Sequence, residues 1–226
     1  MKIEKFVTKE LSRLDDDHFS KSLKTPLKKG AFKISDIEKI KLIEVKVREI
    51  LDILGMDLKD DSIAGTPKRV AKMFINEIFS GLNTLNKPNS STFKNSYKYD
   101  EMLVEKNITV NSTCEHHLLP IVGIAHVAYI SNGKVVGLSK INRIVDYYSK
   151  RPQVQERLTL QIVEELQKVL KTKDVACVID AKHLCVNLRG IRDTQSSTVT
   201  SEFSGKFKEK EIKKEFLDYI KLEANF

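Results

Sequence analysis

The feature that most restricts the fold of this chain is a change of apolar period, and back again, in its second half. "EMLVEKNITVNS" and "IVGIAHVAYI" (residues 101–112 and 121–130) are short runs rich in β-branched and aliphatic residues, the pattern of strands. "SKINRIVDYYSK" and "RPQVQERLTLQIVEELQKVL" (139–150 and 151–170) then repeat apolar residues at helical spacing. Ile141, Ile144, Val145 and Tyr148 form the first stripe; Val154, Leu158, Ile162 and Leu166 form the second, with Pro152 placed to start that helix. "DVACVID" and "HLCVNLRG" return to strand-like runs, "STVTSEFSGKF" reads as one more strand, and "KEIKKEFLDYIKL" as a closing amphipathic helix. A strand pair, two helices and a second strand pair define an α+β fold. Asn132-Gly133 predicts a hairpin turn from the second strand into "VVGL", because both residues tolerate positive φ.

The first half is helical. In "SDIE", Ser35 can accept from the backbone and Glu38 can reach back, a capping box that starts a helix; Ile37, Ile40, Val47, Leu51 and Leu54 follow at helical spacing until Gly55. "TPKRVAKMFINEIFSGL" opens a second helix, with Thr66 as cap, Pro67 in first place and Gly81 at the end. Residues 83–100 are polar and turn-rich, a linker or long surface loop, and residues 1–34 have weak periodicity, an arm with one short helix. The expected division is 1–34, 35–100 and 101–226.

Composition excludes several classes. Of 226 residues, 41% are hydrophobic and 31% charged, a globular balance with enough length for a sizeable core. Three cysteines, an odd number, make a poor disulfide framework and suit a reducing compartment. The N-terminus lacks a signal-peptide apolar run and no stretch approaches the roughly 20 apolar residues of a membrane span, so a cytoplasmic protein that does not insert in a membrane is expected. The net charge of +8 comes from lysines scattered among Glu and Asp, which reads as a solvated surface and not as a nucleic-acid groove.

Against that background, "STCEHHLLP" (112–120) concentrates Cys114, Glu115, His116 and His117. Cys114 and His117 are three apart, so a turn lets both converge; "HLC" adds His183 and Cys185, two apart and on one side of a strand. Two thiolates and an imidazole suit zinc, and three ligands leave a position for water, with His116 and His183 free to move protons beside it. Spacing alone leaves other readings open: Cys114 as a small buried hydrophobe, a Cys114–Cys185 disulfide, or His183 as a satisfied strand histidine. Ser139, Lys140 and Arg143 in "GLSKINR" stand where a strand meets a helix and could surround a phosphate chain, or Ser139 could simply cap the helix. Arg69 and Lys72 share a helix face and Arg189 and Arg192 follow the second half-site. Glu156, with Gln155 in the first turn of its helix, could accept from two adjacent N–H donors, such as guanine presents.

Together, "STCEHHLLP", "VVGLSKINRIV", "RPQVQERLT", "HLCVNLRGIRD" and "TPKRVAKMFINEIFSGL" resemble the zinc-dependent GTP cyclohydrolase I family over roughly residues 20–226. The resemblance implies a tunnelling fold with an N-terminal helical extension, and conversion of GTP and water to 7,8-dihydroneopterin triphosphate and formate. It implies that Cys114, His117 and Cys185 bind zinc, and that His116, His183 and Ser139 are the catalytic proton-transfer groups. Gln155 and Glu156 would hold the base, and Lys140, Arg143, Arg189, Arg69 and Lys72 the triphosphate. It also implies a homo-oligomer, a decamer of two pentamers, with sites at subunit boundaries. His126 and Cys177 match no family site position and are assigned to packing; Glu115 is expected to orient a neighbour by hydrogen bonding. One competing reading is another tunnelling-fold pterin or deazapurine enzyme, against which the full Cys-His-Cys set argues; the other is a non-catalytic, zinc-stabilised protein that binds polynucleotides, which predicts four protein ligands to zinc and salt-sensitive binding.

Overall fold

The structure, a computed structural model, describes residues 22–89 and 91–223. The short helix expected in the arm lies outside the described residues wherever it falls within 1–21. Helix α1 (Asp36–Ile53) begins as its capping residues dictate, Ser35 Oγ accepting from the Glu38 amide at 3.2 Å. It ends where Gly55 takes φ 82°, its N–H and that of Met56 closing on the carbonyls of Asp52 and Leu51. Helix α2 (Thr66–Met73) is capped at Gly65 and not at Thr66, whose hydroxyl accepts from Arg69 instead. The apolar run continues beyond it as a wider π turn (Phe74–Ile78) and a 3₁₀ turn (Ser80–Leu82).

Among the described residues seven strands form two sheets: β1 (Thr92–Lys94), β2 (Met102–Cys114), β3 (Pro120–Ile130), β4 (Lys134–Val136), β5 (Pro152–Gln153), β6 (Val175–His183) and β7 (Thr198–Phe203). The main sheet runs β5-β2-β3-β6-β7, with only the β5–β2 pair parallel. Helices α3 (Leu138–Ser149) and α4 (Gln155–Leu170) cover one face, and α5 (Lys210–Lys221) covers part of the other. The expected order of strand pair, two helices and strand pair is present, with three corrections. β4 does not return along β3 after the Asn-Gly turn; it pairs with β1, which draws the supposed linker 83–100 onto the body of the fold. Pro152 starts no helix but lies in β5 beside Thr113, and α4 opens three residues later. "HLCVNLRG" is not a strand: β6 ends at His183, Leu184–Asn187 make one helical turn, and the true partner of β6 is β7.

Between the sheet and α3/α4 lies the main core, including Val110, Ile121, Val127, Ile141, Ile144, Leu158, Ile162, Leu166 and Ile179. Each such side chain contributes about 1.5–3 kcal/mol on burial. Cys177 sits fully buried in it, its thiol pushed up by burial, as a packing residue. Phe207 and Phe216 close the second core over Met102, Ala128 and Ala176. No helix among the described residues is long and apolar enough to cross a membrane.

One irregularity sets the phase of β2. Its register against β3 shifts between Glu105 and Ile108, with Asn107 in a left-handed conformation (φ 58°). Before the bulge Leu103 packs toward the helices; after it Ile108, Val110 and Cys114 do. The Asn107 N–H reaches the buried ring of His126 (Nδ1, 3.3 Å), whose pKa is lowered by burial and by the nearby Lys106 cation. A histidine whose folded pKa lies below its unfolded value destabilises the fold as pH drops through that unfolded value, near 6.5. The melting temperature should therefore fall between pH 7 and 5, and His126→Gln should flatten that dependence in pH-resolved thermal scans.

Candidate active site

The site forms where β2, β5 and β6 end together. After Cys114 the chain turns sharply: Leu118 N–H returns to the Cys114 carbonyl (2.9 Å), Cys114 N–H donates to Leu119 (2.8 Å), and Leu118 adopts φ 54°. The Glu115 N–H donates to the Gln153 carbonyl (3.0 Å), so the parallel β2–β5 ladder extends into the turn. The backbone N–H groups of His116 and His117 point at the Cys114 sulfur. Across from it, His183 ends β6 and Cys185 sits in the following helical turn, so the two do not share a strand face. They converge on Cys114 nonetheless: one ligand atom from each of Cys114, His183 and Cys185 lies within 4.8 Å of the others.

Burial by itself raises the Cys114 thiol, but hydrogen bonds from His183, from the two backbone amides and from Cys185 bring it down to about 6. Burial and the neighbouring Cys114 sulfur push Cys185 upward. All three cysteines are free. A tetrahedral zinc site with bonds of about 2.0–2.3 Å needs ligand atoms roughly 3.3–3.8 Å apart, and this donor set of two sulfurs and an imidazole needs only a small contraction to hold one.

The expected ligand His117 is not one of the three converging groups. It is exposed, with Nε2 2.7 Å from the Arg189 guanidinium, and His183 stands beside the thiols in its stead. His116 has Nδ1 3.8 Å from Cys114 Sγ and Nε2 4.0 Å from the Glu115 carboxylate. Glu115 does hold a neighbour: it receives two hydrogen bonds, 2.6 and 2.9 Å, from Arg157.

Gln155 is buried in the first turn of α4 with its amide fully engaged. Nε2 donates to the carbonyls of Ile179 (3.1 Å) and Thr198 (2.8 Å) and stands 3.2 Å from Thr200 Oγ1, while Oε1 meets His183 Nε2 at 2.8 Å. Two carbonyls can only accept, so the amide orientation is fixed, and the oxygen facing His183 requires the hydrogen on the imidazole Nε2. Gln155 thus sets the tautomer of His183; it is spoken for by the protein on the side expected to meet a base.

These residues line a cavity of about 740 Å³ that contains Cys114, His116, His117, Gln155, Glu156, His183 and Cys185. The size suits a nucleotide-scale ligand. Ser139, Lys140, Arg143, Arg69, Lys72 and Arg189 are not among the described residues lining it, although Arg189 touches the lining residue His117. Ser139 lies exposed within α3, whose cap position is Gly137, and Arg143 borders a separate cavity of about 300 Å³ with Asp146 and Lys150. The sequence reading missed Arg157 and the segment Ser22–Leu23, which walls the cavity. The available signal was a polar stripe at helical spacing, Arg157, Gln161 and Glu165, all of it buried.

A largely antiparallel α+β sheet whose strand ends gather two thiols and imidazoles over a nucleotide-sized cavity defines a metal-dependent enzyme site of the tunnelling-fold type. A family model described as GTP cyclohydrolase I matches residues 43–221. The chain is 69% identical over 216 residues to GTP cyclohydrolase 1 of Flavobacterium johnsoniae, covering 96% of this chain and 97% of that relative. It is 50% identical over 203 residues to GTP cyclohydrolase 1 of Aeromonas salmonicida (89% and 92%) and over 188 residues to that of Vibrio cholerae (83% and 86%). The chain belongs to the GTP cyclohydrolase I family.

Cys185→Ser should weaken zinc binding by more than the ~10–100-fold that loss of an outer-shell partner costs, whereas Gln155→Leu should stay within that range. Competition titration against a chromophoric chelator reads both.

Proposed function

We propose that this protein acts as a GTP cyclohydrolase I, converting GTP and water to 7,8-dihydroneopterin triphosphate and formate, the first step towards folate and other pterins. The observation that carries the reading is the convergence of Cys114, His183 and Cys185 on the floor of a cavity that Glu156 also enters. Residues 101–226 are the catalytic domain, 35–100 the helical region and its linker, and 1–34 the arm.

Zinc, the metal this family uses, would be held by Cys114, Cys185 and an imidazole; the matched motif gives that place to His117 and leaves His183 for proton transfer. When bound, the metal supplies a Lewis acid that lowers the pKa of water towards ~7. Glu156 accepts from the paired N–H donors of guanine, a pattern adenine lacks. His183, oriented by the bond between its Nε2–H and Gln155, carries the transferred proton on its other ring nitrogen and donates it to the opening imidazole ring of the substrate, and formate leaves after a second hydration. His116 and Ser139 move protons in the ribose opening and rearrangement before the dihydropterin ring closes.

The triphosphate is held by Ser139, Lys140, Arg143 and Arg189 with Arg69 and Lys72. None of these six lines the cavity of its own chain; Arg189 reaches its edge through His117, and neighbouring copies supply the other five, in a homo-oligomer with the family's arrangement of two pentamers. Helix α1 supports self-association: among the described residues none of its side chains is fully buried, and Ile37 and Ile53 are 70% and 84% exposed.

The test is incubation of the zinc-loaded protein with GTP, assaying formate and, after oxidation, fluorescent pterin. Both products are expected in equal amounts, and their absence from a metal-replete, assembled sample would overturn the reading. Glu156→Gln should lower kcat/KM for GTP by roughly 10–100-fold, the worth of a charge-assisted pair.

A further inference from the structure

We propose that Arg157 is a positioning residue for His116, acting through Glu115. The Arg157 side chain is 4% exposed, and its two terminal nitrogens hold both Glu115 oxygens fork to fork at 2.6 and 2.9 Å. Glu115 stands between Cys114 and His116 in the chain, and its own amide is pinned to Gln153. Its carboxylate lies 4.0 Å from one nitrogen of the His116 ring, and the Cys114 sulfur lies 3.8 Å from the other. The ring is bracketed on both sides, and one side of the bracket is where it is because a buried guanidinium holds it there.

Stability is a poor reason for the pair. Burying both charges costs about as much as their attraction returns, and apolar side chains of the same volume often do as well or better. A fork that fixes both carboxylate oxygens does something apolar residues cannot: it sets an orientation. The same guanidinium donates through Nε to the Ser22 carbonyl (3.3 Å), and Gln161, one turn along α4, donates to the Leu23 carbonyl (2.6 Å). Ser22 and Leu23 are cavity-lining residues, so one helix face fixes both the ring and a part of the cavity wall.

The inference rests on the proton-transfer role given to His116 above, and the test separates the two. Removing one partner alone strands a buried charge and invites misfolding, so the informative variant is the neutral double change Glu115→Gln with Arg157→Met, beside Arg157→Lys, which keeps the charge but not the fork. Oligomer size and the absorption spectrum of the cobalt-substituted protein should match the parent. With KM for GTP nearly unchanged, kcat should fall roughly 10²-fold in the double variant, the scale of a small misplacement of a catalytic group. In a His116→Ala background the same double change should cost no more than about 2-fold, because a device that works through His116 has nothing left to position.

Additive losses, an unchanged kcat, or a cobalt spectrum altered in step with activity would each overturn the proposal. A second readout needs no turnover: carbethoxylation of His116, followed by peptide mass spectrometry, should change in rate in both clamp variants, and an unchanged rate overturns the proposal. If the parent itself releases no formate from GTP, the functional reading fails while this modification experiment still decides the clamp.

Discussion

The site depends first on one buried amide. Gln155 joins the start of α4 to β6 through Ile179, to β7 through Thr198, and to the imidazole of His183, using every polar atom it has. Inside a low-dielectric core these bonds are stronger than at the surface, and losing any of them strands a polar group at a cost of about 1–3 kcal/mol. The helix therefore cannot slide or rotate against the sheet without breaking several bonds at once. Glu156 and Arg157, the next two residues, inherit that fixed orientation: one faces the cavity and the other reaches Glu115.

The same logic continues along α4. Arg157, Gln161 and Glu165 recur every four residues on one buried line, each with its own partner: Glu115, the carbonyl of Leu23 together with Gln153, and Lys87 with Tyr148. An apolar stripe there would pack as well, but it could not choose its neighbours. Hydrogen bonds do choose, and these tie α4 to the turn after Cys114, to the incoming N-terminal segment and to the loop that carries Lys87. The buried Arg151 acts likewise, stacked at 4.7 Å over both Tyr147 and Tyr148 while donating to the Gly81 carbonyl and to Thr25.

Periodicity made much of this legible. The order of strands and helices, the capping of α1 by Ser35 and the placement of Gln155 and Glu156 in a first helical turn follow from local preferences that the packed protein keeps. What could not be read were choices made between distant segments. Nothing in "SNGK" says that β4 will find β1 rather than fold back on β3, since the turn permits either. "HLC" reads as strand because Leu, Cys and Val favour one, and only the short helical turn carries Cys185 to Cys114. Arg157 and Gln161 draw no reading, because polar residues at helical spacing are usually a solvated face; their partners at Ser22, Leu23 and Glu115 lie tens of residues away.

The position of Cys114 itself turns on a single residue earlier in β2. Strand side chains alternate, so without the extra residue at the bulge Cys114 would face away from α3 and α4, on the opposite side of the sheet from His183 and Cys185. The bulge puts Asn107 at positive φ, which asparagine tolerates better than most residues, and gives its amide an acceptor in the ring of His126. An imidazole accepts there only while that nitrogen carries no proton, and burial favours the neutral form. His126 thus belongs to the packing that aims a thiol, although its own side chain is not among those lining the cavity.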